Sequence, residues 1–130
     1  MKIYKFESDP IILNDIEEIV VHFIKENDIP KALRYKIIVS SLEAITNSIY
    51  HGNCCNVQKK VQFGLERRSD RVVVIVEDEG DGFDYAKLPD PTTPDNIENP
   101  DGRGVFLMMK LSDYIEFNKK GNRIQLYFNI

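Results

Sequence analysis

A run of five β-branched residues at positions 72–76 (Val-Val-Val-Ile-Val) constrains the fold of this chain more than any other feature. Such a run is typical of a strand buried inside a sheet. Residues 61–65 before it alternate between apolar and other side chains, and the Arg-Ser-Asp sequence at 68–70 has the composition of a turn. The sequence therefore predicts a β-hairpin, whose two strands run antiparallel.

Helical and strand-like patterns surround this hairpin on both sides. Apolar residues recur at three- and four-residue steps in helical segments and alternate in strand-like ones. The predicted helices are residues 11–26, 31 to about 52 and 105–111, and the further predicted strands are residues 2–7, 114–118 and 123–130.

The order of these elements is β-α-α-β-β-loop-α-β-β. Strands joined by tight turns favour a mixed, mostly antiparallel sheet, and three helices can cover only one of its faces. The predicted class is α+β, a two-layer α/β sandwich. Because 130 residues is the length of one ordinary domain, we predict that residues 1–130 form a single domain.

The charge balance argues against two classes of partner. Lys and Arg number 17 and Asp and Glu 21, so the formal net charge is −4 at pH 7. This balance offers no basic surface for nucleic acid or for an anionic membrane. No apolar run approaches the ~20 residues of a membrane-spanning helix, and the first residues lack the apolar stretch of a secretory signal. We therefore expect a cytoplasmic protein with no nucleic acid and no membrane among its partners.

Residues 84–101 differ in kind from the rest of the chain. They contain four prolines among acidic and amide residues, too many for a regular helix or strand. A connection of this length without regular structure is usually functional in a compact domain. The segment is predicted to be a lid over a binding site, and a tolerated surface insertion is the alternative.

Three polar residues, Glu43, Asn47 and His51, recur at four-residue steps on the second predicted helix. With Leu42 at the centre of the apolar stripe, they lie about 100–180° away from it and share one face. A solvated face accounts for this pattern, although such a face usually carries flexible charges of both signs. One carboxylate, one amide and one imidazole without lysine favour a ligand-binding face instead.

Two glycine motifs follow later in the chain. Asp78-x-Gly80-x-Gly82 comes directly after the β-branched strand, and its glycines allow a sharp turn and the close approach of a flat ligand. The Gly-Arg-Gly sequence at 102–104 precedes a predicted helix, where free N–H groups and the helix dipole favour an anion such as phosphate. Taken singly, each motif also fits an ordinary turn or helix start.

In combination, these motifs resemble the N, G1 and G2 boxes of the GHKL (Bergerat-fold) ATPases. The resemblance rests on Glu43-x-x-x-Asn47-x-x-x-His51-Gly52-Asn53, on Asp78-x-Gly80-x-Gly82, and on Gly102-Arg103-Gly104-Val105-Phe106-Leu107-Met108 after the proline-rich segment. Leu-Pro-Asp-Pro-Thr at 88–92, the Gly-Arg-Gly motif and Glu-Phe-Asn at 116–118 are most similar to the bacterial anti-sigma factor serine kinases. The resemblance covers nearly the whole chain.

The resemblance implies a Bergerat ATP-binding fold with ATP and Mg²⁺ as cofactors, and a role for each motif residue. Asp78 accepts a hydrogen bond from the adenine amine, and Asn47 gives its amide oxygen to Mg²⁺, which prefers oxygen ligands. Glu43 is the catalytic residue, which accepts the proton of an attacking hydroxyl or orients it. The remaining nucleotide-binding residues are Gly80 and Gly82 at the base, and Gly102, Arg103, Gly104 and Val105 at the phosphates.

At the level of function, the resemblance implies a serine/threonine protein kinase and anti-sigma factor of a bacterial partner-switching system. Its substrate is then a STAS-domain anti-sigma factor antagonist, and its second partner a sigma factor or another effector. A homodimer is also expected. The alternative is a nucleotide-gated module that sequesters a partner without transferring phosphate.

A few positions depart from the family pattern or add little to it. Other members often carry a threonine near the final strand that holds adenine through water, and here Asn122 is the candidate substitute. His51 matches the pattern but is interpreted as structural, tying the helix end to a neighbouring loop. The adjacent Cys54 and Cys55 are interpreted as inert thiols, with redox sensitivity as the alternative.

Overall fold

The computed structural model of this chain describes residues 1–82 and 100–130, with side chains in the second range from Gly104 onward. Residues 84–99 of the predicted lid therefore lie outside the described part of the chain. No helix within the described ranges is long and apolar enough to cross a membrane.

Five described strands form one sheet, and every pairing between them is antiparallel. The predicted hairpin is confirmed, and its β-branched strand β3 is the middle strand, with Val74 opposite Leu65 on one side and Leu126 on the other. The spatial order is β1-β2-β3-β5-β4. The strands are β1 (Lys2–Glu7), β2 (Lys60–Arg67), β3 (Arg71–Glu77), β4 (Tyr114–Phe117) and β5 (Arg123–Asn129).

Three α-helices within the described residues form the second layer, so the predicted α+β sandwich is confirmed. They are α1 (Leu13–Glu26), α2 (Lys31–Asn47) and α3 (Pro100–Leu111). A short 3-10 turn precedes α1, and α2 continues into one π-helical turn, Ser48–Gly52. Buried apolar side chains of the helices and of alternate strand positions, such as Ile16, Ile45, Phe63 and Leu126, form one core between the layers.

The buried side of α2 is not centred on Leu42, contrary to the prediction. Ile38 and Leu42 are half-buried, whereas Ile37, Ser41 and Ala44 are buried. The reason is that α2 contacts α1 and α3 as well as the sheet, so three of its sides are covered. The small side chains of Ser41 and Ala44 are buried, and the larger Leu42 lies at the margin.

The third helix starts earlier than predicted. It begins at Pro100 rather than at residue 105, so the Gly-Arg-Gly motif lies inside its first turns. Proline is favoured at the first helical position because its missing N–H would have no partner there. Only the first four N–H groups of a helix lack a partner within it, and Gly104 is the fifth residue of α3.

Candidate functional site

Asp78 follows β3 and extends its pairing with β5 by one residue. Its N–H donates to the carbonyl oxygen of Asn122 at 2.9 Å, and its own carbonyl accepts from Asn122 Nδ2 at 2.8 Å. With 6% exposure, Asp78 is the only buried ionisable side chain among residues 1–82 and 104–130. The carboxyl group therefore has a fixed place at the end of the central strand pair.

Burial raises the pKa of Asp78, because removal from water disfavours the charged carboxylate. Two hydrogen bonds oppose this effect, one from the Gly80 N–H at 2.8 Å and one from the Ser48 side chain. A buried carboxyl with only partly satisfied oxygens is a strong acceptor for a ligand that can donate.

Three glycines at or near this carboxyl occupy positions where no larger residue fits. A Cβ on Gly52 would overlap the Asp78 carboxyl group, and a Cβ on Gly80 would overlap the Gly52 carbonyl oxygen. Gly82 has a φ of 89°, which disfavours other residues, and its Cα lies against the backbone of Lys120. The π-helical turn at the end of α2 thus packs directly on the Asp78-x-Gly80-x-Gly82 segment.

Asn53 joins the same two segments through its side chain, which is 1% exposed. Its Oδ1 accepts from the Glu79 N–H at 2.8 Å, and its Nδ2 donates to Ser8 Oγ at 2.7 Å and to the Lys60 carbonyl at 3.0 Å. The backbone next to Asp78 is therefore held to β2 and to the segment after β1.

Glu43 and Asn47 lie on the side of α2 that faces α3. A Cβ on Gly104 would lie 3.1 Å from Glu43 Oε2 and 3.1 Å from both Oδ1 and Nδ2 of Asn47, so the carboxylate and the amide meet at this glycine. Both side chains are half-buried. The polar face of α2 that carries Glu43 and Asn47 is therefore not fully solvated. Helix α3 covers part of it, and the contact is made at Gly104, which has no side chain.

A narrow cavity lies between α2, α3 and the sheet, and Asp78 and Asn47 both line it, together with apolar side chains. The described lining residues are Ala44, Asn47, Ser48, Val76, Asp78, Met108, Asn122 and Ile124. The wall therefore combines a carboxyl, an amide and apolar side chains, and we call the part at Asp78 the acidic end and the part at Asn47 the amide end.

The residues predicted from sequence meet here to different extents. Glu43, Asn47, Asp78 and Gly104 come together across the α2–α3 boundary and the end of β3. Val105 is buried in the core cluster, at 7% exposure, and the side chains of residues 102 and 103 lie outside the described part. His51 is half-buried in the π-helical turn.

Sequence reasoning missed two contributors to the site. Ser48 hydrogen-bonds Asp78, and Asn53 holds the backbone beside it. Asn53 directly follows the His-Gly pair of the quoted motif, which was a usable signal. Ser48 had none, because it reads as one more residue of an amphipathic helix.

The donor set suits Mg²⁺ at the amide end. The Asn47 and Glu43 oxygens next to the side-chain-free surface of Gly104 are hard ligands in a space that a Cβ would fill. No cluster of three His, Cys, Asp or Glu residues that could cage a metal occurs in the described ranges. One or two protein oxygens together with phosphate oxygens are the usual way in which Mg²⁺ is held at a nucleotide site.

Comparison with known proteins shows which protein family this chain resembles. The family model of the histidine kinase-like ATPase domain matches residues 6–128. The chain belongs to this family. Membership in this family implies that the chain binds ATP. The expected GHKL relationship is thereby confirmed.

One relative is a serine-protein kinase, RsbW of Oceanobacillus iheyensis. It is 31% identical over 91 residues, which cover 65% of this chain and 56% of the relative. The aligned region thus spans little more than half of that protein's length.

Proposed function

We propose that this chain binds ATP with Mg²⁺ and transfers the γ-phosphoryl group to a serine or threonine hydroxyl of a partner protein. The observation that carries the proposal is the buried carboxyl of Asp78 in the wall of a cavity that Asn47 also lines. A buried acceptor at one end suits a base with an amino group, and an amide oxygen at the other suits a cation bound to phosphates.

The acidic end favours adenine over guanine. Adenine carries an amino group at C6, a donor that Asp78 can accept, whereas guanine carries a carbonyl oxygen there. That oxygen would face a carboxylate without a proton between them. The apolar side chains of Val76, Met108 and Ile124 supply walls for the flat ring.

At the amide end, Asn47 is the Mg²⁺ ligand and Glu43 the catalytic residue. When bound, Mg²⁺ neutralises charge on the phosphate oxygens. Glu43 lies one helical turn before Asn47 with Oε2 directed at the same glycine, so it can accept the proton of a hydroxyl that attacks the γ-phosphate. Gly80 and Gly82 shape the base end, and residues 102–105 lie beside the phosphate end.

The protein partners are proposed from the relative. That relative is named a serine-protein kinase, which supports a protein hydroxyl as the phosphate acceptor. We propose a STAS-domain antagonist as the substrate, a sigma factor or another effector as the sequestered partner, and a cytoplasmic location. A homodimer completes the proposal, and sedimentation of the purified chain tests it.

Calorimetry tests the nucleotide half of the proposal. ATP with Mg²⁺ should bind tighter than GTP, and Asp78→Ala should weaken ATP binding about 10- to 100-fold, as expected for loss of a hydrogen bond to a charged group. Equal affinity for ATP and GTP, or an unchanged constant in Asp78→Ala, contradicts the assignment of the base end.

Incubation with γ-labelled ATP and a candidate STAS protein tests the catalytic half. Label on a serine or threonine of the STAS protein supports the kinase. A nucleotide-dependent complex that stays unlabelled, with Glu43 intact, supports the sequestration module instead. A matched reaction with the acceptor serine replaced by alanine identifies the site of transfer.

A further inference from the structure

Two asparagines link the turn between β4 and β5 to the backbone of Asp78. Asn118 and Asn122 are both half-buried, and only Asn122 lines the cavity. Asn118 follows β4 directly, and Asn122 precedes β5. The Asn118 side chain donates to the Asn122 side chain, which in turn donates to the Asp78 backbone.

Asn118 organises the turn through its side-chain oxygen. Oδ1 accepts three backbone N–H groups, from Gly121 at 2.8 Å, from Asn122 at 3.0 Å and from Arg123 at 3.1 Å. An atom that accepts three donors must be the oxygen, so the amide orientation is determined by chemistry. The other side-chain atom, Nδ2, donates to Asn122 Oδ1 at 2.7 Å.

Asn122 connects the turn to the backbone of Asp78. Its Nδ2 donates to the Asp78 carbonyl at 2.8 Å, and its own carbonyl accepts from the Asp78 N–H at 2.9 Å. Both polar groups of the Asp78 backbone are thus bonded to one residue. Gly82 packs on the backbone of Lys120 in the same turn, so the turn touches the Asp78-x-Gly80-x-Gly82 segment at a second point.

From this arrangement we infer that Asn122 is a positioning residue for adenine recognition, which acts through Asp78 rather than on the base. The inference rests on the proposed nucleotide site. Nδ2 and Oδ1 of Asn122 each already have a protein partner, one at Asp78 and one at Asn118. A carboxyl whose backbone is held on both sides keeps its acceptor oxygens in place before the base arrives, which spares the cost of ordering them on binding.

A double-mutant cycle between Asn122 and Asp78 tests this inference. Wild type, Asn122→Ala, Asp78→Ala and the double variant are titrated with ATP and with purine riboside triphosphate, which lacks the 6-amino group. In the wild-type background, Asn122→Ala should weaken ATP binding about three- to tenfold, which is one hydrogen bond's effect, and leave the analogue nearly unchanged. In the Asp78→Ala background, it should have no further effect.

A purely structural role gives a different pattern. General loosening of the pocket weakens ATP and the analogue equally, and a direct contact with the base leaves Asn122→Ala additive to Asp78→Ala. Either result overturns the inference. If wild type binds no ATP, or Asp78→Ala binds as wild type does, the proposed function fails and the inference fails with it.

Two further variants keep the test decisive if Asn122→Ala folds poorly. Asn118→Asp retains an oxygen for the three N–H groups of the turn but loses the donor to Asn122, so it should show the same selective loss for ATP at reduced size. Asn129→Ala is the matched control, because Asn129 is an exposed residue at the far end of β5 and should leave both affinities unchanged. Equal effects of Asn118→Asp and Asn129→Ala would mean that Asn118 does not act through Asn122, which contradicts the inference.

Discussion

At the scale of single residues, the buried carboxylate of Asp78 lowers the stability of the folded chain. Burial raises its pKa from the ordinary 3.8, so the folded chain holds this proton more tightly than the unfolded chain does. The free energy of unfolding therefore falls as pH rises from 3.8 through the folded-state pKa, and the penalty is complete above that value.

Asp78→Asn should remove this pH-dependent penalty. The asparagine oxygen can still accept from the Gly80 N–H, but the side chain no longer ionises. In urea unfolding without nucleotide, we expect the variant to gain stability relative to wild type from pH 4 to pH 7. Asp70→Asn is the control with the opposite sign, because the Arg71 side chain lowers the pKa of exposed Asp70. Parallel pH profiles of wild type and Asp78→Asn contradict the prediction.

Gly52→Ala tests how closely the π-helical turn packs on Asp78. The new methyl group would overlap the carboxyl, so it should displace Asp78, cost about 1–3 kcal/mol of stability and abolish selective ATP binding. Gly64→Ala is the matched control, since its Cβ would meet only the flexible ends of Ile3 and Met1, at 2.6 and 2.9 Å. It should keep ATP affinity. Calorimetry and thermal unfolding on both variants provide the comparison.

Glu43→Ala should separate binding from transfer. In the proposed reaction Glu43 acts on the incoming hydroxyl, so ATP affinity should stay within about twofold while the single-turnover rate of transfer falls about 10²- to 10⁴-fold. Glu17→Ala, an exposed glutamate on α1, is the matched helical control and should transfer normally. A wild-type rate in Glu43→Ala would leave Glu43 with a structural role only.

At the scale of elements, α2 carries most of the site and also a defect. The hydroxyls of Ser40 and Ser41 are buried without a hydrogen-bond partner among the described residues. An unpaired buried hydroxyl costs stability, and serine is also a poorer helix former than alanine. The small size of Ser41, rather than its hydroxyl, suits its fully buried position.

Ser41→Ala should therefore stabilise the protein by about 1 kcal/mol, or roughly 3–5 °C in the midpoint of thermal unfolding. Ser112→Ala serves as the control, because the Ser112 hydroxyl donates to the Met108 carbonyl at 2.7 Å and its loss should bring no gain. An unchanged or lower midpoint in Ser41→Ala would indicate that the hydroxyl has a partner in solution.

At the scale of the whole molecule, the cavity lies between the two layers, so a ligand there stabilises the complete fold. Core residues Ala44, Val76, Met108 and Ile124 are also cavity residues. Binding of a ligand to the folded chain alone raises stability by RT ln(1 + [L]/Kd). Nucleotide binding and global unfolding are therefore linked.

Mg²⁺-ATP at about 100 times its Kd should add ~2.7 kcal/mol, which corresponds to a rise of about 10 °C in the unfolding midpoint. Removal of Mg²⁺ with EDTA should reduce this rise. Asn47→Ala should reduce it in the presence of Mg²⁺, because Asn47 is the proposed ligand of the metal. GTP at the same concentration is the nucleotide control. A rise that is independent of Mg²⁺ and of Asn47 contradicts the metal assignment.

The sequence by itself determined the elements and the identity of the chemical groups. The β-branched run 72–76 identified the central strand, because apolar β-branched side chains favour a buried pleated surface wherever they occur. Helical periodicity located α1 and α2. The sequence motifs also identified Glu43, Asn47 and Asp78, of which Asn47 and Asp78 line the cavity and Glu43 meets Asn47 beside Gly104. These are properties of neighbours along the chain.

Only the tertiary structure decided which sides of those elements are covered and what each group touches. Leu42 lies at the margin because α1 and α3 flank α2, and the Gly-Arg-Gly motif lies inside α3 because the helix starts at Pro100. The contacts of Asp78 with Gly52 and Asn122 join residues 26 and 44 positions apart. Local patterns cannot specify such contacts, because they depend on how whole elements pack.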